Sequence, residues 1–315
     1  MARKKKLTIT QQIMLQVIDT QRDRAHALSR KQYIRDSKRF IKFCREAFDS
    51  RTFEDCKYHI QDYSNHLQSK GYSPSTIHTY LAAACSVFDV DLATIDKPTR
   101  HVADYTRGRT SKYDNINCDL TDEKWAYIVK FQRAVGIRRD ELMHLKGKDF
   151  VLDECGHPCV FIARGKGGKP QLQRISGDNE SFVQAYFEKV KPDELIFDRS
   201  LFQNDLNLHA LRAESAKTYY YEQLQKIRQS EEYAKQLEGE IRARWQNCNR
   251  DKNGKKRRLP NRELVGYYTL RGKNRKLAIQ KGLPLRYNKL ALLATSIFKL
   301  SHWRNDVTVA SYMLY

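Results

Sequence analysis

Two neighbouring stretches have different patterns of apolar residues: 134-AVGIRRDELMHLKGKDF-150 and 159-CVFIARGKGGKPQLQRIS-176. The first continues a helical pattern that begins at 120-LTDEKWAYIVKFQRAVG-136, and its later part predicts a second helix. The second stretch has two strand-like runs around the turn GKGGK, which predicts a β-hairpin. Helices around one hairpin predict a mainly α fold with a small β-sheet.

Upstream, the chain has the pattern of short amphipathic helices. In EDCKYHIQDYSNHLQSKG, apolar residues recur at helical spacing and Gly71 can end the helix. The next helix is expected to start with Ser73 as its N-cap and Pro74 in its first turn. The first third of the sequence therefore predicts a helical domain.

A polar and basic segment at about 95–119 interrupts this pattern and predicts an interdomain linker. We expect two domains, 1–110 and 111–315, the second being α+β. Within the second, residues 246–286 are basic and predicted to be irregular, and 288-NKLALLATSIFKLSHW-303 predicts a closing helical stretch.

The charge balance indicates a polyanionic partner. The chain of 315 residues has 58 Lys and Arg against 37 Asp and Glu, a net charge of +21. Nucleic acid explains such a charge most directly, although a merely basic protein is the plainer alternative. No apolar run is long enough to cross a membrane, and the N-terminus has no secretory pattern. We therefore expect no membrane association and a cytoplasmic protein at the nucleoid.

The seven cysteines are scattered and odd in number, which predicts reduced thiols. Cys155, His157 and Cys159 lie close together, but a zinc site would need a fourth ligand that the sequence does not offer. A surface turn is the preferred interpretation. No metal site is predicted.

Several polar residues lie where the apolar pattern breaks, and each alone has an ordinary explanation such as a solvated surface position. Together they fit attack on a phosphodiester. That reaction needs a nucleophile, guanidiniums for the charged phosphate oxygens and a proton donor for the leaving oxygen. The candidates are Arg138, Lys166, His209, Arg212, His302 and Tyr312.

Four segments carry these candidates in a specific order. The segments are AVGIRRDELMHLKGKDF, ARGKGGKPQ, LHALRAESAK and LSHWRNDVTVASYM. They resemble the motifs of the tyrosine recombinases, the phage-integrase family. The resemblance covers roughly residues 30–315 and implies a helical core DNA-binding domain, 1–110, followed by a catalytic domain, 111–315. The chain departs from the family pattern at Ser301, where the family usually has glycine.

The resemblance implies a role for each candidate. Arg138 and Arg212 would hold the scissile phosphate, with Glu141 orienting Arg138. Lys166, at the hairpin turn, would protonate the leaving oxygen. His209 and His302 would hydrogen-bond the phosphate and share in proton transfer.

Two tyrosines compete for the role of nucleophile. The family's spacing from histidine through R-x-D-V to a tyrosine ten positions later matches His302 and Tyr312. At Tyr315, a terminal carboxylate would repel the phosphate. Tyr312 is therefore the predicted nucleophile, with surface packing of both aromatics as the alternative.

The segment at about 230–286 resembles an insertion relative to compact members of the family. An extra DNA-contacting loop is the favoured interpretation, and a solvated lobe the alternative. The predicted DNA-binding residues are Lys255, Lys256, Arg257, Arg258, Arg271 and Lys273.

The function implied is that of a site-specific recombinase or integrase, which cuts and rejoins DNA through a 3′-phosphotyrosine. Its partners would be duplex DNA, three further copies in a homo-tetramer, and an accessory DNA-bending or directionality factor. No cofactor is implied. A type IB topoisomerase-like enzyme and a catalytically silent DNA-binding clamp are the alternatives.

Overall fold

Amphipathic helices form the first of two units, which divide the chain into residues 1–105 and 106–315. The computed structural model describes residues 7–20, 27–101, 123–165, 170–202, 206–248 and 264–314. The helices of the first unit are α1 (Ile9–Thr20), α2 (Ala27–Phe48), α3 (Phe53–Cys56), α4 (Ile60–Ser69) and α5 (Pro74–Val87).

Helix ends in the first unit follow the local sequence signals. The Ser73 hydroxyl accepts a hydrogen bond from the Thr76 N–H at 3.3 Å and Pro74 starts α5, as predicted. Gly71 follows α4 with a φ of +72°, a conformation that glycine adopts without strain. The apolar faces meet around Phe40, whose ring centroid is 5.1 Å from that of Tyr63.

The second unit combines helices with two small antiparallel sheets. Its helices are α6 (Glu123–Val135), α7 (Arg139–Leu142), α8 (Glu180–Glu188), α9 (Leu208–Gln229), α10 (Glu231–Cys248), α11 (Gly272–Gln280), α12 (Lys289–Ala294) and α13 (Asn305–Thr308). One sheet has the strands β1 (Phe150–Leu152), β2 (Pro158–Ile162) and β3 (Gln171–Arg174) in that order. The other pairs β4 (Tyr267–Thr269) with β5 (Arg286–Asn288). The mainly α fold with a small β-sheet is therefore confirmed.

The hairpin predicted around GKGGK is formed by β2 and β3, and β1 adds a third strand that was not predicted. Val160 pairs with Phe150 on one side and with Gln173 on the other. Because side chains alternate across a strand, Gln171 and Gln173 share one face of β3. This face contributes to the candidate site described below.

The predicted second helix in RRDELMHLKGKDF is wrong beyond its first turn, because α7 ends at Leu142. The backbone after it pairs with a distant segment instead. Leu145 O accepts from Ile196 N–H at 3.1 Å, and Gly147 N–H donates to Glu194 O at 3.1 Å. These pairings satisfy backbone groups that a longer helix would have used internally.

The prediction of an irregular segment is also wrong where the structure describes it. Residues 264–286 contain β4 and α11, and Leu264, Leu270 and Ala278 are buried. The preceding helix α10 buries Leu237 and Ile241 against the same unit. Apolar anchors spaced between the basic residues hold this segment to the domain.

Two π-helical turns shape the C-terminal part. Thr295–Lys299 continues α12 and Val309–Met313 continues α13. Between them, Ser301 has a φ of +53°, a left-handed conformation that favours glycine. His302 therefore lies in the connection between the helical segments and not within a helix, as had been predicted. Across the ranges that the structure describes, no helix has the length and apolar content needed to cross a bilayer.

Candidate active site

Arg212 is the centre of a polar cluster inside the second unit. It lies in the first turns of α9, which begins where the Asn207 side chain accepts from Ala210 N–H at 3.1 Å. Its side chain is 1% exposed. Nη1 donates to Gly136 O and Nη2 donates to Leu300 O at 3.2 Å. The guanidinium is thus fixed by backbone from both the α6–α7 turn and the segment before His302.

Tyr312 lies directly beside this guanidinium. Arg212 Nε donates to Tyr312 Oη at 3.3 Å, across a separation of 100 residues in the chain. The phenol is buried, and the π-helical turn after α13 presents it to the cluster. A cationic donor on the phenol oxygen orients it and stabilises negative charge as it develops there.

Arg138 caps α7 and pairs with Glu141. Arg138 Nη1 donates to Glu141 Oε1 at 2.6 Å, and its backbone N–H donates to Glu141 Oε2 at 2.9 Å. The Glu141 side chain is 3% exposed, whereas the Arg138 side chain is 30% exposed. The carboxylate therefore fixes the guanidinium while leaving part of it open to a ligand.

Two glutamines of β3, which were not predicted as site residues, connect the arginines. Gln171 Oε1 accepts from Arg138 Nη1 at 3.5 Å and from Gln173 Nε2 at 3.2 Å. Gln173 Oε1 in turn accepts from Arg212 Nη1 at 3.3 Å. The two guanidiniums are thus linked through a pair of amides, and the polar alternation in QLQ was the available sequence signal.

His302 is mostly buried beside the arginines. Burial, Arg212 and Arg138 together lower the pKa of the imidazole to about 4, so it is neutral at pH 7. Its Nδ1 accepts from Arg304 N–H at 3.4 Å, which assigns the ring proton to Nε2. Within the described part of the chain, Nε2 is buried without a hydrogen-bond partner. This N–H can therefore donate to an acceptor oxygen of a ligand.

His209 is exposed at the start of α9. Its ring centroid is 5.8 Å from that of Tyr312, and the centroid of His302 is 6.3 Å from the same ring. Two imidazoles therefore flank the phenol.

The structure brings together Arg138, Glu141, His209, Arg212, His302 and Tyr312. Of the other predicted residues, the structure describes only Arg271 and Lys273. Arg271 and Lys273 are exposed at the start of α11. The predictions at Lys166, Lys255, Lys256, Arg257, Arg258 and Tyr315 fall outside the described residues.

The electrostatics of the cluster favour an anion. Burial lowers the pKa of the Arg212 guanidinium; Tyr312 opposes this shift and Arg138 adds to it. Because an arginine stays charged even when buried, burial imposes an unfavourable free energy, which an oxyanion between the two guanidiniums would offset. A phosphate group has the charge and the acceptor oxygens that this set of donors requires.

No metal site accompanies the cluster: in the described ranges, no three His, Cys, Asp or Glu side chains are grouped so that they could hold an ion. Around CGHPC, Cys159 is buried in β2 and His157 contacts Glu240 at 3.2 Å. Asp153 accepts from the backbone of Cys155 and His157 at 2.9 and 3.0 Å, which forms a turn.

Comparison with known proteins gives little further information. No family model matches the chain, and no curated protein is found to be similar to it. Among solved structures, the chain is similar to the crystal structure of XerA recombinase at 19% identity, with 66% of this chain and 83% of that chain covered. The TM-score is 0.22, a value at which the match carries no argument about this chain.

Proposed function

We propose that the protein is a site-specific DNA recombinase of the tyrosine type, which cuts and rejoins DNA through a phosphotyrosine. One observation carries the proposal: the Tyr312 hydroxyl accepts from Arg212 Nε at 3.3 Å, next to Arg138 and His302. A nucleophile and two guanidiniums are groups that attack on a phosphodiester needs, and His302 Nε2–H, which has no partner among the described residues, can donate to a phosphate oxygen.

In the proposed cleavage step, Tyr312 Oη gives its proton to solvent water and attacks phosphorus. The bond from phosphorus to the 5′ oxygen breaks, and that oxygen leaves as a hydroxyl after taking up a proton. Arg138, Arg212 and His302 Nε2–H hold the non-bridging oxygens, where charge builds up in the transition state. Lys166 is the proposed acid for the leaving oxygen.

The 3′-phosphotyrosine keeps the energy of the broken diester, so rejoining needs no nucleotide cofactor. A 5′ hydroxyl of a second duplex attacks the phosphotyrosine and releases Tyr312. Four copies on two duplexes would complete the exchange of both strand pairs. The net charge of +21 supports duplex DNA as the substrate. A DNA-bending or directionality factor is a further proposed partner.

The chemistry is tested with a suicide duplex that is nicked near the cleavage site. After cleavage, the short fragment that carries the free 5′ hydroxyl diffuses away and cannot be rejoined. Because the recombination site is not known, the substrate is first selected from a random duplex library by covalent capture. The unmutated protein and Tyr315→Phe should give a covalent protein–DNA band, and Tyr312→Phe should give none. A band from Tyr312→Phe would contradict the assignment of the nucleophile.

The same assay separates the alternatives. Joining of the captured strand to a second duplex identifies a recombinase, whereas relaxation of supercoils without joining identifies a topoisomerase. If the unmutated protein binds the library but captures no strand, the protein is a silent DNA-binding clamp and the proposal is wrong.

A further inference from the structure

Lys299 is a fully buried lysine that the chemistry above does not use. It interrupts the apolar run LALLATSIFKL, and its side chain is 0% exposed. Its ammonium donates to Ala134 O and, at 3.1 Å, to Arg174 O. A buried charge is costly unless its hydrogen bonds are satisfied, and here the acceptors are backbone carbonyls from two distant segments.

The first acceptor lies in the last turn of α6, just before the α6–α7 turn that presents Arg138. Ala134 lies two residues before Gly136, whose carbonyl accepts from Arg212 Nη1. Gly136 has a φ of +69°, and an added Cβ would lie 2.7 Å from Ser215 Oγ and 3.3 Å from Lys299 Cε. The turn is therefore packed tightly between α9 and Lys299, and a shift of Lys299 would be transmitted to it.

The second acceptor belongs to β3, immediately after Gln173, which contacts Arg212. Lys299 itself precedes Leu300, whose carbonyl accepts from Arg212 Nη2 at 3.2 Å. Lys299 thus joins three segments, and each of the three donates or accepts a hydrogen bond within the Arg212 cluster.

Burial makes the charged form of Lys299 unfavourable. Burial lowers the pKa of Lys299 to about 7, with Glu222 opposing the shift and Arg212 adding to it. Cys159 and the ring of Tyr219 also face the ammonium. An apolar side chain of similar length would remove the desolvation cost of the ammonium, and Ala134 O would keep its hydrogen bond from Ser176 N–H at 3.0 Å.

We propose that Lys299 is a positioning residue, which ties the Arg138 turn and strand β3 to the segment before His302 and so fixes the guanidinium of Arg212. The role in cleavage rests on the function proposed above. The role in orienting Arg212 does not, because it is a property of the DNA-free protein.

The first test compares Lys299→Met with Lys235→Met, a matched change at an exposed lysine of α10 that pairs with Glu231 at 2.9 Å. In single-turnover cleavage at saturating DNA, we expect Lys299→Met to be slower by roughly 10- to 100-fold, because a small misplacement of catalytic groups has effects of this size. The DNA affinity of Lys299→Met should equal that of Lys235→Met. Its urea midpoint should equal that of Lys235→Met or exceed it. Unchanged cleavage, or parallel losses of cleavage, affinity and midpoint, would overturn the proposal.

The second test needs no cleavage. The ¹⁵Nε signal of Arg212, assigned by its absence from Arg212→Lys, is followed in the unmutated DNA-free protein from pH 6 to 9. It should shift with a midpoint near the Lys299 pKa of about 7, and this shift should be absent from Lys299→Met and should persist in Lys235→Met. A signal that does not respond over this range would overturn the proposal. A responsive signal in a protein that captures no DNA would leave the positioning role standing and refute only the recombinase function.

Discussion

Four of the five N–H groups of Arg212 already donate hydrogen bonds to described residues in the DNA-free protein, and the second Nη2–H is left for a phosphate oxygen. Arg212 hydrogen-bonds a phenol, an amide oxygen and two backbone carbonyls, and it is inaccessible to water. Because the planar fork is held on several sides, little side-chain entropy remains to be lost when a phosphate binds. This is the preorganisation that makes electrostatic stabilisation of a transition state effective.

We expect Arg212→Lys to lose most cleavage and to keep most DNA binding. A lysine preserves the charge but cannot reproduce the fork that contacts Tyr312 and Leu300 together. The loss in single-turnover rate should correspond to about 2–4 kcal/mol of transition-state stabilisation. A cleavage rate near that of the unmutated protein would remove Arg212 from the reaction.

The lowered pKa of His302 predicts how the unfolding free energy changes with pH. Its pKa in the folded protein is about 4, below the ordinary value of 6.5, so between these values the unfolded chain binds more protons. Burial of His302 therefore destabilises the fold fully below pH 4, and this penalty disappears as pH rises to 6.5. In His302→Gln, the rise in unfolding free energy over this window should be smaller, by up to about 1.4 kcal/mol per pH unit.

Phosphate binding should reverse this shift, because a nearby negative charge favours the imidazolium. The measurement is the pH titration of the His302 ring signal by NMR, with and without duplex DNA. We expect a higher pKa in the complex. The same pKa in both states would show that His302 does not face the bound phosphate.

Helix α10 lies in the segment predicted as an insertion and is anchored to the hairpin by buried charges. Arg174 of β3 contacts Asp153 at 2.7 Å and Glu240 at 2.6 Å, and Arg244 contacts Asp153 at 3.0 Å. The Arg174 guanidinium also lies 3.7 Å from the ring centroid of Phe298. Helix α10 thus supports the strand that carries Gln171 and Gln173 and is part of the packed domain.

Glu240→Ala should lower the unfolding free energy at pH 7 by about 3 kcal/mol, because it leaves the buried Arg174 with an unpaired donor. Glu238→Ala on the same helix removes a pair with the half-exposed Arg242 and should cost below about 1 kcal/mol. Urea unfolding of both variants makes the comparison. Equal effects would mean that the buried pair contributes nothing specific.

The effect of Glu240→Ala on the unfolding free energy should also depend on pH. Burial raises the pKa of this carboxyl, but hydrogen bonds from His157 and Arg174 outweigh it and hold the pKa at about 2. The stabilisation is therefore present above pH 4.5 and is lost as pH falls towards 2. The difference between the unmutated protein and Glu240→Ala should shrink over that window.

The sequence predicted the elements with strong local signals. Ser73, Pro74 and Gly71 mark helix ends through contacts within a few residues, and they were interpreted correctly. The end of α7 at Leu142 was missed because Leu145 and Gly147 pair with residues about 50 positions away, and no local pattern encodes that pairing.

The candidate site was predictable only where a motif identified the residue. Arg138, Arg212, His302 and Tyr312 came from motif order, and the structure brings them together, although their roles stay predictions. Gln173 and Lys299 acquire their contacts from the tertiary structure alone. A lysine within an apolar run was a visible signal, but its partners were not.

The charge of the whole chain leads to the last prediction. With a net charge of +21, binding to duplex DNA should release many counterions, so affinity should fall steeply with salt. Six phosphate contacts would correspond to a log–log slope of about −5 and a loss of affinity of roughly 10³ between 50 and 200 mM salt.

If Lys255, Lys256, Arg257 and Arg258 contribute, their joint change to glutamine should flatten the slope by about 0.9 for each phosphate that is no longer neutralised. Changing the exposed Lys189, Lys191, Lys226 and Lys235 to glutamine removes the same charge and is the matched control. Equal slopes in the two quadruple variants would show that only net charge matters, and a slope near zero in the unmutated protein would contradict DNA as the substrate.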